Sequence, residues 1–176
     1  MGQGLWGIKS GNEVKPNWLT PAQKENTFAT NGGWVLRHNS GIQEKLVAIA
    51  NLKTKLGAAN VTEVNFGVGP WKVGLTKTIR VVFNEKVTVT GAPTVVVTGS
   101  TTSAVTATYT STAGQGNILV FSFTVPAAGQ TLRVGTQSIV LNGGTIVETG
   151  VTPTVNAVLT IDAAALTNTG TKTTVA

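Results

Sequence analysis

Apolar and polar positions alternate along most of the chain after residue 76. Residues 77–83 set Ile79, Val81 and Phe83 against Arg80 and its polar neighbours. Residues 104–110 repeat the pattern with Val105, Ala107 and Tyr109, and residues 117–125 with Leu119, Phe121, Phe123 and Val125. A period of two is the signature of a strand with one face on a core and the other in water. Further strands are predicted at 87–90, 94–98, 131–141, 145–148 and 154–161. The breaks between them fall at Gly91-Ala92-Pro93, Gly114-Gln115-Gly116, Gly129, Gly143-Gly144 and Gly150. About seven or eight short strands within roughly a hundred residues predict a β-sandwich.

The first 76 residues read differently. Gly2, Gly4, Gly7 and Gly11 interrupt regular structure, while Leu5, Trp6 and Ile8 supply bulky apolar side chains. Residues 1–40 therefore read as an extended arm. Within it, Thr20-Pro21 predicts a helix N-cap followed by proline at the first helical position. Phe28-Ala29-Thr30 and Trp34-Val35-Leu36, joined by Asn31-Gly32-Gly33, predict a hairpin. Residues 41–57 predict an amphipathic helix: Ile42, Leu46, Ile49 and Leu56 share a face, Ser40 and Gln43 have capping-box spacing, and Gly57 stands where a left-handed cap belongs. The expected organisation is an arm with a short hairpin (1–40), an amphipathic helix with a connecting strand (41–67), and a β-sandwich (68–176).

Composition strengthens the all-β reading. The chain has 176 residues, of which 30 are Thr, 24 Val and 21 Gly; the β-branched pair packs well on a pleated surface, and glycine serves the turns. Only 11% of residues are charged, under half the usual share, so Thr, Ser, Asn and Gln or a partner protein must cover much of the surface. The formal net charge is +6, but its lysines and arginines are scattered, with no patch of the kind that tracks phosphates. No specific nucleic-acid partner is expected. No run approaches the roughly 18 apolar residues of a membrane helix, and the first residues lack the basic and apolar regions of a signal peptide. Synthesis in a cytoplasm without membrane insertion is the expectation.

The chemistry available is sparse. There is no Cys, one His, one Asp and six Glu, which excludes thiol chemistry and leaves little for metal coordination or proton transfer. His38 and Asp162 have no spacing that suggests a hydrolase triad, and Gly67-Val68-Gly69, followed by Pro70-Trp71-Lys72, is neither a dinucleotide fingerprint nor a P-loop. The chain is read as non-enzymatic, with no catalytic residue, metal or cofactor. Trp residues carry the candidate chemistry instead, because an indole buries a large area and dominates interface energetics. The predicted protein interface is Leu5, Trp6, Ile8, Trp18, Leu19 and Trp34.

Residues 78–95, from Thr78-Ile79-Arg80 through Phe83-Asn84-Glu85 to Gly91-Ala92-Pro93-Thr94-Val95, resemble the opening of a bacterial immunoglobulin-like domain. Residues 117–125 resemble a later strand of that family, and 127–155 its glycine-punctuated hairpin and approach to the last strand. The likeness covers about residues 68–162 and lacks the acidic loop residues of many relatives. Leu5-Trp6-Gly7, Lys15-Pro16-Asn17-Trp18-Leu19 and Gly33-Trp34-Val35 are similar to the starts of small virion structural proteins of tailed phages, especially marine T4-like ones. These resemblances imply a virion protein, a capsid decoration or cement protein on the capsid exterior, that binds the major capsid protein through its N-terminal part. A homo-oligomer is implied, and a trimer would suit the three-fold positions of a shell. The alternative they imply is an immunoglobulin-like module on a tail, neck or fibre, binding host surface glycans or receptors.

Overall fold

A computed structural model of the chain describes residues 15–101 and 104–176. It is mainly β, with antiparallel sheets that form a β-sandwich. The N-terminal part holds α1 (Pro21–Glu25), β1 (Thr27–Thr30), β2 (Gly33–Arg37), β3 (Gln43–Ala48) and α2 (Leu52–Leu56). There follow β4 (Val61–Phe66), β5 (Thr76–Phe83), β6 (Val87–Thr90), β7 (Thr94–Gly99), β8 (Val105–Ala113) and β9 (Ile118–Thr124). The chain ends through β10 (Thr131–Arg133), β11 (Gln137–Ser138), β12 (Thr145–Glu148), β13 (Thr160–Ile161) and β14 (Lys172–Thr173).

One layer of the sandwich is a seven-stranded sheet in the order β14-β10-β7-β8-β9-β5-β4. The other is made of shorter pairs, β12 with β6 and β11 with β13. Bridges at Thr94–Val140 and Asn60–Val158 tie the two layers together, so the large sheet nearly closes. Alternation decides the packing: Ile79, Val81, Phe83, Leu119, Phe121, Val95, Val97 and Ala107 are wholly buried and meet Ile139, Ile146 and Ile161 of the second layer. At one end of the sandwich Trp71 packs edge-on against Phe66 and stacks on Phe123. At the other, the N-terminal sheet β1-β2-β3 docks, with the Ala29 amide donating to the Asn84 carbonyl over 2.7 Å.

The helix start at Thr20-Pro21 forms as read, with a reciprocal capping box between Thr20 and Gln23. The hairpin also forms, in the register Thr30 opposite Gly33 through Thr27 opposite Leu36. Gly33 adopts φ +123°, and a β-carbon there would stand 1.9 Å from the Val47 carbonyl oxygen. The amphipathic helix over 41–57 does not form. Residues 43–48 are β3, hydrogen-bonded to the open edge of β2, and only Leu52–Leu56 is helical. Ser40 and Gln43 lie at a tight turn closed by the His38 amide on the Ile42 carbonyl and the Gly41 amide on the His38 carbonyl. The edge of β2 supplies a ladder that a local helical pattern cannot anticipate, and Asn51 in the left-handed region (φ 56°) keeps strand and helix apart.

Two strand predictions divide. The run 131–141 becomes β10 in the large sheet and β11 in the small one, because the chain changes layers around Gly135. The run 154–161 keeps a ladder only at Thr160–Ile161, with single bridges at Asn156 and Val158. β4 pairs along β5 as the edge strand of the large sheet, so that sheet starts at Val61.

Candidate interaction site

The six predicted interface residues are divided by the fold. Leu5, Trp6 and Ile8 lie outside the described residues. Leu19 and Trp34 are enclosed by their own chain, at 4% and 1% exposed, and are not free to meet a partner. Trp34 packs with Ala29 and Leu52 between the N-terminal sheet and α2. Trp18 stands 63% exposed. Its position is fixed from both sides, by the buried Leu19 and by Lys15, whose Nζ donates to the Lys24 carbonyl (2.8 Å) and to Thr62 Oγ1 (3.3 Å). The segment therefore presents one indole on an anchored stretch of backbone.

Polar groups make the joint beneath it. The Glu25 carboxylate accepts from Arg80 Nη2 at 2.9 Å and from Asn65 Nδ2 at 2.7 Å, tying α1 to β5 and β4. Asn117 Nδ2 donates to the carbonyls of Glu25 and Phe83. Asn84 Oδ1 accepts from the Asn60 amide. Val82 and Ile118, which alternation turns away from the sandwich interior, are nevertheless fully buried at this end of the sheet.

A second junction joins α2 to the sandwich through charge. Glu85 is fully buried, and neither of its oxygens has a hydrogen-bond partner. Its counter-charge is Lys53 Nζ at 3.7 Å, which also donates to the Thr149 carbonyl. Glu148, buried nearby, accepts from the Ala59 amide at 2.7 Å. Burial and the Glu148 carboxylate push the Glu85 carboxyl up to about 7, against the pull of Lys53. Glu85 follows β5 in the Asn84-Glu85-Lys86 stretch, and the fold turns it inward.

Beside the first junction lies a cavity of about 410 Å³, lined by Lys15, Trp34, Asn60, Glu63, Asn84 and Asn168 among others. Glu63 Oε2 and Trp34 Nε1 are both buried without partners. Glu63 Oε1 receives Asn168 Nδ2 at 3.5 Å. Burial lowers the Lys15 ammonium to about 8 and raises the Glu63 carboxyl, each partly offset by the other's charge. Sequence reasoning passes over both. The signal for Glu63 is an acid inside Val61-Thr62-Glu63-Val64, turned inward by the bulge between Val61 and Glu63.

The remaining candidates stay apart. His38 pairs with Glu44 at 2.8 Å on the exposed β2–β3 hairpin. Asp162 accepts from the Ala165 amide at 2.8 Å, closing a turn. Among the described residues no cluster of His, Asp and Glu could hold a metal ion, and no helix is long and apolar enough to cross a membrane. No protein family, curated protein or solved structure matches this chain.

Proposed function

We propose that this chain is a non-enzymatic structural protein of a tailed-phage virion, a capsid decoration or cement protein that carries an immunoglobulin-like sandwich. In this reading its N-terminal part grips the major capsid protein, and the sandwich faces outward. The observation that carries it is Trp18: the one aromatic ring that stands largely exposed among the described residues, on backbone fastened by Lys15 and Leu19. An indole on fastened backbone loses little backbone freedom on binding, a property that suits an interface anchor. Leu5, Trp6 and Ile8, a few residues upstream, would extend the same contact. The formal charge of +6 favours encounter with an acidic shell. Many equivalent sites on one shell would let each contact be modest.

The alternative, a tail- or fibre-associated module that stacks host glycans on its sandwich, has less support. The sandwich rings Trp71, Phe83, Phe121 and Phe123 are buried, and Tyr109 is half-buried with its hydroxyl on Thr112. Gel densitometry of purified particles separates the two. A decoration protein is present in hundreds of copies per particle; a count in the tens or fewer overturns the capsid reading. Binding of the purified chain to undecorated shells, lost on deletion of residues 2–19, tests the N-terminal grip.

A further inference from the structure

The Trp71 end of the sandwich, opposite the N-terminal sheet, leaves aliphatic side chains in the open. Val68 is 93% exposed, and Val73, Leu75 and Val175 are 43%, 41% and 47% exposed. Hydrogen bonds gather them into one surface. The chain between β4 and β5 turns back on itself through the Leu75 amide on the Lys72 carbonyl (3.2 Å), and the Val73 amide reaches the Val175 carbonyl (3.1 Å). Lys77 Nζ ties Val68 to the same group, donating to its carbonyl at 3.4 Å and lying 5.6 Å from the centre of the Trp71 ring. Single exposed aliphatic residues are ordinary on a protein surface, whereas a contiguous set with a polar rim marks a contact site.

Charge singles out the same end. Lys72 and Lys77 flank the aliphatic residues in sequence, and no Asp or Glu accompanies them. The acidic side chains among the described residues, Glu25, Glu44, Glu63, Glu85, Glu148 and Asp162, lie on the N-terminal sheet or at its junctions with the sandwich. A second copy of the chain is therefore a poor occupant. End-to-end pairing would set these lysines against each other, and the two exposed acids that could meet them are engaged, Glu44 by His38 and Asp162 in closing a turn.

Two features favour a lipid surface over a foreign protein. Protein interfaces are depleted in Lys, whereas at a bilayer a lysine lays its stem along apolar surface and keeps its ammonium among the headgroups. Val68, with nearly its whole side chain free, projects instead of packing; acyl chains close around such a group without a preformed socket. We propose that the Trp71 end of the sandwich docks on an anionic phospholipid bilayer, with Val68, Val73, Leu75 and Val175 entering the boundary between headgroups and acyl chains and Lys72 and Lys77 meeting lipid phosphates. The contact is peripheral, since no helix among the described residues is long and apolar enough to cross a membrane. It involves this end alone, so neither particle copy number nor shell binding by the N-terminal part bears on it.

The test is sedimentation of the full chain, at low ionic strength, with vesicles of phosphatidylglycerol and phosphatidylcholine in equal parts, and with vesicles of phosphatidylcholine alone. Binding to the anionic vesicles is expected to be about tenfold or more the stronger. Lys72→Gln should weaken it about fivefold, whereas Lys55→Gln, which removes the same charge from α2, should change it less than about twofold. Val68→Ser combined with Val73→Ser should weaken it about tenfold with the charge unchanged; both positions are exposed, and Val68→Ser alone is the fallback if the double variant loses its fold. Polyglutamate stands in for an acidic protein. Anionic vesicles that fail to bind, with or without Lys72-dependent retention by polyglutamate, overturn the proposal. So do equal losses for Lys55→Gln and Lys72→Gln, which reduce the contact to net charge, and full binding by a folded serine variant, which removes the aliphatic residues from it.

Discussion

The sandwich and the N-terminal sheet are held together by different physics. The sandwich has a continuous apolar interior in which twenty-three buried residues pack from both layers. The N-terminal sheet has a core of three, Ala29, Trp34 and Leu52. A three-stranded sheet over so small a core is marginal by itself, and the rest of its support is borrowed: Leu19, Phe28, Val35 and Leu36 are buried outside that cluster, as are Val82 and Ile118 at this end of the sandwich, and polar bonds join Glu25 to Arg80 and Asn65, Asn117 to Glu25, Ala29 to Asn84 and Lys53 to Glu85. The sandwich has its own apolar interior, whereas the N-terminal part depends on apolar and directional contacts to a surface that must already exist. Trp18 stands on the borrowed side, and the aliphatic, lysine-flanked end belongs to the sandwich itself.

The strongest blow to this contrast is Phe121→Ala. Emptying a fully buried ring position in the large sheet should cost about 3–5 kcal/mol, and hydrogen exchange should show both regions losing protection together. Loss confined to the sandwich would mean that the N-terminal sheet stands alone.

Next in size is Lys53→Met, which strands the Glu85 carboxylate. A loss of about 1–3 kcal/mol is expected at pH 8 in urea melts, with much less at pH 5, where Glu85 is protonated. Equal losses at both pH values would assign Lys53 a packing role only.

Glu85 itself gives the pH test. Its carboxyl titrates at about 7 in the fold against an ordinary value of 4.5. Between those values the folded chain keeps a proton that the unfolded chain has released, so this group's contribution to stability falls as pH rises from 4.5 through 7 and then levels. Glu85→Gln should flatten that slope and raise stability at pH 8 by about 1–3 kcal/mol. A variant whose urea melts keep the parent's pH slope would show that Glu85 titrates normally.

The smallest effect on stability is expected from Trp18→Ala, within about 0.5 kcal/mol because the ring is exposed, together with at least a tenfold loss of binding to capsid shells. Isothermal unfolding and a shell-binding assay on one preparation separate the two readouts.

These contrasts follow what the sequence made legible. Strands at 87–90 and 145–148 are legible to the residue, because alternation stops at Gly91 in the first and Gly144 and Gly150 bound the second. The Thr20-Pro21 helix start and the hairpin around Gly33 were legible for a related reason: both are closed by contacts within a few residues. Residues 43–48 were not. Leu46 and Ile49 have a helical spacing, which the free edge of β2 overrides. Nor could spacing tell that Trp34 and Leu19 would be enclosed while Trp18 stays out, since all three read as anchors.

By itself, then, the sequence determined a mainly β chain with a Thr- and Val-rich sandwich and a scarcity of catalytic chemistry, because periodicity, composition and turn residues act over short stretches. Tertiary structure decided the rest: which indole is offered to solvent, which carboxylates are buried, and where a cavity remains. The reason is physical. Burial and electrostatics depend on segments distant in the chain, Lys15 with Glu63 and Lys53 with Glu85, whose meeting is fixed only when the N-terminal sheet closes on the end of the sandwich.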